Sequence, residues 1–80
     1  MDYDTDKVDD AVLALLMLTV HDEGEFGARS WKGHDWDALD RLHQKGLLGD
    51  PVSKAKSVLV TPEGLARGRE LFARLFSQGT

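Results

Sequence analysis

The sequence SVLVTPEG at residues 57–64 decides the predicted fold. Its first half is rich in β-branched residues and predicts a strand. Thr61, Pro62 and Glu63 then supply an N-cap side chain, a proline at the first helical position and an acid in the first turn. The helix that starts there continues through apolar residues at helical spacing, which are Leu65, Phe72, Leu75 and Phe76. Residues 77–80 are expected to be a frayed end.

An apolar helix is predicted near the start of the chain. It begins at Thr5 or Asp6, both good N-cap residues, and is apolar nearly all round over residues 8–20. We expect it to end at residues 21–24, where a glycine follows a polar cluster. Because so small a chain has few elements to cover such a helix, we expect a homodimer through the first helix or the last.

A second helix and a hairpin are predicted in the middle of the chain. Asp35 caps the helix and Gly46 ends it. The basic side chains Lys54 and Lys56 precede the predicted strand and suit an exposed hairpin tip. A short extended piece at residues 28–31 is weakly indicated. The predicted class is therefore α+β and mainly helical, with three helices and a small β-hairpin.

Composition limits the class of protein. Eighty residues with 41% hydrophobic and 30% charged residues make one small globular domain, residues 1–80. The absence of cysteine excludes disulfides and thiolate zinc sites. The longest apolar run, residues 11–18, is far shorter than the roughly 20 residues that span a bilayer. The acidic start, MDYDTD, lacks the basic region of an export signal, so we expect a cytoplasmic protein.

Charge is unevenly distributed along the chain. Residues 1–40 carry a formal charge of −8 and residues 41–80 a charge of +4, which gives the net −4. One interpretation is that the two halves attract each other, within one chain or between two. The other is that the basic half meets an anionic partner.

The sequences LDRLHQKGLL (residues 39–48) and LVTPEG (residues 59–64) resemble the second half of a winged-helix domain of the MarR and PadR type. That resemblance implies a recognition helix with Arg41, Gln44 and Lys45 facing the DNA groove beside two acids, Asp37 and Asp40. It also implies a wing that places Lys54 and Lys56 near phosphates. Residues 22–34 show no helical period where a complete winged helix has a further helix. The whole chain also resembles a family of small bacterial proteins described as a domain of unknown function, which implies no activity.

The histidines invite two chemical hypotheses. His21 and His34 lie near five carboxylates and could bind a divalent metal, although a histidine at a helix end is more often a partner for backbone carbonyls. His43 could act as a general base with Asp40, or be a boundary residue at a helix edge. The chain has no nucleophile elbow and no glycine-rich phosphate loop. We therefore predict no enzyme, no metal and no cofactor.

Three more residues are candidates for partner contacts. Trp31 and Trp36 could anchor a partner, but the favoured interpretation is that they cover the end of the core.

Arg67 and Arg74 have acids four residues before them, Glu63 and Glu70. Arg69 has none, which leaves it free for a partner or a nucleic acid.

Two functions follow from these features. The first is a non-enzymatic interaction protein that associates with itself or with another protein. The alternative is a winged-helix DNA-binding regulator that uses the second helix and the basic wing.

Overall fold

The computed structural model describes residues 2–78, and within them the chain forms three α-helices and three strands. The elements, in chain order, are α1 (Thr5–Leu16), a 3-10 helix (Met17–Thr19), β1 (His21–Gly24), β2 (Gly27–Trp31), α2 (Trp36–Gln44), β3 (Ser57–Val60) and α3 (Pro62–Phe76). This arrangement confirms the predicted α+β class. Of the predicted frayed end, Ser77 and Gln78 follow α3 without regular structure, and Gly79 and Thr80 lie outside the described residues.

The three strands form one antiparallel sheet in the order β1-β2-β3. Residues alternate along β2, so that Ala28 and Ser30 are buried while Arg29 is half-buried and Trp31 is exposed. One face of the sheet therefore lies on the core and the other faces solvent. The domain measures 36 × 32 × 19 Å. Its short dimension fits one layer of helices on one layer of sheet.

Leucines from the helices and valines from β3 fill the space between the two layers. The fully buried apolar side chains include Leu13, Leu16, Leu39, Leu42, Leu48, Val58, Val60 and Leu71. Capping side chains fix where the helices begin. Asp35 accepts a hydrogen bond from the Ala38 N–H at 3.1 Å and Thr61 from the Gly64 N–H at 3.0 Å, as predicted.

The first helix begins at Thr5, within its predicted start, but its N-cap residue and its end were predicted wrongly. Asp4, in extended conformation, accepts a hydrogen bond from the Lys7 N–H, so it caps α1 in place of Thr5 or Asp6. Residues 21–24 do not end the helix but form β1. The chain turns into extended conformation at Val20, and the next residues pair with β2. A hairpin thus occupies the place where a complete winged helix has another helix.

The predicted hairpin with Lys54 and Lys56 at its tip is reduced to one bridge before a longer loop, and β3 forms its ladder with β2 instead. β3 pairs with β2 through four consecutive residue pairs, from Ala28–Val60 to Trp31–Ser57. The segment before β3 contributes a single bridge, Leu48–Val60. Two backbone hydrogen bonds accompany this bridge, from the Gly49 N–H to the Leu59 carbonyl at 2.8 Å and from the Thr61 N–H to the Leu47 carbonyl at 3.2 Å. Lys54 and Lys56 are exposed in the loop of residues 49–56 that follows it, and not at a tight two-stranded tip.

Gly27 is required where the β1–β2 hairpin meets β3. Its φ is +121°, which L side chains rarely adopt, and a Cβ there would collide with the backbone carbonyl of Val60. Gly24, its partner across the turn, has no atom within 4 Å of the equivalent position. The hairpin backbone therefore packs closely against β3 at Gly27, whereas there is free space around Gly24.

Candidate interaction surface

The two basic side chains of α2, the predicted recognition helix, face α1. Arg41 Nε lies 2.9 Å from both carboxylate oxygens of Asp9, and Arg41 Nη2 lies 2.8 Å from Oδ1. Lys45, which caps the C-terminal end of α2, donates to Asp9 at 3.0 Å and to Asp6 at 3.2 Å. Asp9 is fully buried. Arg41 and Lys45 therefore neutralise a buried carboxylate of the same chain.

These contacts shift the protonation of all three groups. Burial alone raises the pKa of Asp9, but hydrogen bonds and positive charge from Arg41 and Lys45 outweigh it, so the pKa lies below its ordinary value. The hydrogen bond to Asp9 raises the pKa of Arg41. It likewise raises the pKa of Lys45. All three groups are charged at neutral pH.

The exposed remainder of the α2 face is acidic. Asp37 and Asp40 are exposed, and Gln44 donates its side-chain N–H to Asp40 at 2.8 Å. Because Arg41 and Lys45 contact Asp9, the charges left on this face are mainly negative, and they would repel the phosphate backbone of DNA.

Lys54 and Lys56 lie in the exposed loop of residues 49–56. Neither makes an ion pair with any residue from 2 to 78. Asp50, the acid in this loop, accepts a hydrogen bond from the Val52 N–H at 2.9 Å. The loop therefore presents two cations that the rest of the described chain does not neutralise.

Lys32 ties this loop to the sheet. Its side chain is almost buried, and Nζ donates to the carbonyl oxygens of Pro51 at 2.7 Å and Ser53 at 3.1 Å, and lies 3.0 Å from Ser53 Oγ. The ammonium also lies 5.6 Å from the ring centroid of Trp36, a cation–π distance. One side chain thus fixes both the loop and the ring of Trp36.

Trp31 and Trp36 are half-exposed, at 51% and 55%, so the interpretation that they cover the core is wrong. Trp31 lies on the solvent face of β2 and stacks on His21 with ring centroids 4.7 Å apart. Val52 is 76% exposed and lies in the loop of residues 49–56, which we call the lysine loop. We call Trp31, Trp36, Val52, Lys54 and Lys56 the tryptophan end, because they lie around the end of the sheet where β2 finishes.

The opposite end of the sheet carries a feature that the sequence analysis missed. Phe26, in the two-residue turn between β1 and β2, is 80% exposed. Glu25 precedes it in the turn and is exposed, and Asp22 is exposed in β1, with a φ of 52° where the strand pairing is irregular. We call Asp22, Glu25 and Phe26 the hairpin tip. The glycines at positions 24 and 27, which flank two residues, were the available signal for a tight turn.

Arg69 has a partner that sequence spacing could not reveal. Its two terminal nitrogens lie 2.6 Å and 3.2 Å from the carboxylate oxygens of Glu23, which joins α3 to β1. The hydrogen bond from Arg69 lowers the pKa of Glu23, and the same bond raises the pKa of Arg69.

The predicted Glu70–Arg74 pair is present at 2.8 Å. Arg67, however, pairs with Asp10 and Glu70 in place of Glu63.

Comparison with known proteins assigns a family. The family described as Domain of unknown function (DUF6429) matches residues 4–78. The chain belongs to this family. It is also 56% identical over 78 residues to the uncharacterized protein y4hR of Sinorhizobium fredii (strain NBRC 101917 / NGR234), an alignment that covers 98% of this chain and 100% of the relative. No solved structure matches the chain, and the winged-helix resemblance is not confirmed.

The histidines of this DUF6429 domain hold backbone and ring contacts. His21 Nδ1 lies 2.9 Å from the Thr19 carbonyl oxygen, and His43 Nδ1 lies 3.1 Å from that of Leu48. No group of three or more histidine and acidic side chains is placed to hold a metal within residues 2–78. No concave pocket occurs in that part of the domain either. None of its described helices is long and apolar enough to cross a membrane.

The helix layer of the domain also leaves apolar side chains in solvent. Leu18 is 65% exposed, and Leu15 lies one turn earlier with part of its side chain uncovered. Leu75 and Phe76 at the end of α3 are about half-exposed. We call these four residues the helix face. It comprises residues of α1, of the 3-10 helix that follows α1, and of α3, and the sequence predicts a homodimer contact through the first helix or the last.

Proposed function

We propose that this protein is a non-enzymatic interaction module that associates with itself. The observation that carries the proposal is the set of large apolar side chains left in solvent by so small a domain, with Phe26, Trp31 and Trp36 foremost. Tryptophan and phenylalanine are enriched at protein interfaces, and exposed apolar patches often mark such surfaces. A second copy that covered them would add buried apolar area to a domain of only 80 residues.

The charge distribution supports the same function. Arg41, Lys45, Arg67 and Arg69 of the basic half all contact acids of the first half. Most of the basic half is therefore engaged inside the chain, and few of its cations remain for an external polyanion. A protein contact needs only the few charges that are left.

The oligomeric state tests the proposal. We expect sedimentation equilibrium or light scattering at several concentrations to give a mass near twice the 8.9 kDa of one chain. Dilution should return the dimer to monomer in a concentration-dependent way. A mass of one chain at every concentration would reject self-association.

A DNA-binding regulator is the second candidate, and one observation favours it. Lys54 and Lys56 are exposed and carry no carboxylate partner in the described residues, as wing residues near phosphates would. The test is binding to mixed-sequence duplex DNA at about 50 and 200 mM salt. Salt-sensitive binding that is lost in Lys54→Glu/Lys56→Glu would favour the regulator, and undetectable binding at the lower salt would reject it.

A further inference from the structure

The two ends of the sheet are complementary in charge. The hairpin tip carries the exposed acids Asp22 and Glu25, and the tryptophan end carries the exposed bases Lys54 and Lys56. None of these four side chains takes part in an ion pair within residues 2–78. By contrast Glu23, between the two acids, is already held by Arg69. Asp37 and Asp40 on α2 and Asp50 in the loop of the lysines are also exposed without an ion pair in the described residues, but these two places combine such charges with exposed aromatic side chains.

Each end also presents an aromatic side chain in solvent. Phe26 stands out from the hairpin tip, and Trp31 and Trp36 flank the lysine loop with Val52. Protein interfaces commonly have an apolar core that is surrounded by a polar and charged rim, and each end has this composition. Because Lys32 already fixes Trp36 and the loop, the tryptophan end loses little conformational freedom when it is covered.

The two ends cannot meet within one chain. The hairpin turn adjoins Gly27 at the start of β2, while Trp31 is its last residue. Four residue steps along a strand separate the two positions by about 13 Å. The two ends therefore do not cover each other within one chain, and a second copy would supply the missing half of each pair.

We propose that two copies pack antiparallel along their sheets, so that the hairpin tip of each docks on the tryptophan end of the other. A two-fold axis near the middle of β2 makes the two contacts simultaneous and identical, which closes the assembly as a dimer. Phe26 covers apolar surface of Trp31 and Trp36, while Asp22 and Glu25 face Lys54 and Lys56. This inference rests on the proposed self-association and specifies its surface.

The helix face is the competing interface. It is apolar, but Leu15, Leu18, Leu75 and Phe76 bring no charges that distinguish one partner from another. The paired ends account for the exposed aromatics and for four of the charges left over after the internal ion pairs, at Asp22, Glu25, Lys54 and Lys56. A helix-face dimer leaves all of these features exposed.

Charge reversal tests the pairing. One variant is Lys54→Glu/Lys56→Glu, and the other is Asp22→Asn/Glu25→Lys, where asparagine tolerates the positive φ of position 22. Each variant alone faces like charges at both contacts, so we expect its dimer to dissociate at least about tenfold more readily at low salt. An equimolar mixture should restore the dimer, with one copy of each variant, because both contacts are then attractive.

A second set of variants separates this inference from self-association itself. Phe26→Ser should weaken the dimer, and the matched control Leu18→Glu on the helix face should leave it intact. Both tryptophans of the chain lie at the tryptophan end, so dilution of the dimer should shift their emission, and Phe26→Ser should reduce that shift.

Each outcome decides something different. A monomeric wild-type protein overturns both the proposed function and this inference. A dimer that survives both charge reversals and Phe26→Ser but is lost in Leu18→Glu leaves self-association standing and overturns the sheet pairing. Failure of the mixed charge variants to restore a dimer that each reversal had disrupted also overturns it.

Discussion

The fully buried carboxylate of Asp9 in α1 lies 2.9 Å from the guanidinium Nε of Arg41 in α2, a residue 32 positions later in the chain. Lys45 completes the ion pair from the end of the same helix. A buried carboxylate without such partners would be strongly unfavourable. The contact therefore fixes how the first two helices pack, and it uses the two cations that a recognition helix would need.

Replacement of Asp9 by asparagine should lower the free energy of unfolding by about 2–3 kcal/mol, because Arg41 and Lys45 lose their carboxylate partner. The matched control is Asp6→Asn, since Asp6 contacts Lys45 from a side chain that is 84% exposed. That change should cost less than about 1 kcal/mol. Urea unfolding followed by circular dichroism measures both, and equal effects would contradict the role of the buried pair.

Stability should depend on pH through the same carboxyl group. The pKa of Asp9 is lower in the folded protein than its ordinary value, so its contribution is present above the unfolded pKa of about 3.9. That contribution is lost as the pH falls through the folded pKa. Wild-type protein should therefore lose stability faster than Asp9→Asn between about pH 5 and pH 2. Parallel acid profiles for the two proteins, measured by urea unfolding, would refute this assignment.

Gly27→Ala should destabilise the domain by at least about 2 kcal/mol, because a side chain there is strained at positive φ and collides with the Val60 carbonyl. Gly24→Ala is the control, with nothing within 4 Å of the added methyl group. It should change stability by less than about 1 kcal/mol. Thermal unfolding distinguishes the two, and a tolerated alanine at position 27 would show that the hairpin can shift away from β3.

Lys32→Met should release the loop of residues 49–56 while keeping most of the packing of the side-chain stem. The loop contains Lys54 and Lys56, so trypsin should cleave after them several-fold faster than in the wild-type protein. Lys7→Met removes an exposed lysine from α1 and should leave that rate unchanged. Mass spectrometry of the fragments identifies the cut. An unaltered cleavage rate would mean that other contacts hold the loop.

The sequence predicts those parts of the fold that depend on local chemistry. Asp35 and Thr61 mark helix starts because their side chains cap backbone N–H groups three residues away, and Gly46 ends a helix by adopting a positive φ of 79°. β1 has no such local signal, because HDEG neither alternates nor contains a β-branched residue. Its extended conformation comes from pairing with β2.

Most of the candidate surface could not be predicted because it depends on contacts between distant residues. The spacing on α2 correctly places Arg41 and Lys45 near one side, but Asp9 decides that this side is internal. Likewise Arg69 is without a partner on its own helix and finds Glu23 on β1. The exposure of Trp31 follows from its place on the solvent face of the sheet, which its sequence neighbours do not reveal.

The ion pairs between the halves have a consequence for synthesis on the ribosome. Asp9, Asp10 and Glu23 leave the ribosome well before their partners Arg41, Arg67 and Arg69. Until Arg41 and Lys45 are made, the emerging segment of residues 1–40 has a net charge of −8 and cannot bury Asp9 against its partners. α1 therefore docks with Asp9 buried only after residue 45 has been made, and the ion pairs of Asp10 and Glu23 with α3 form later still.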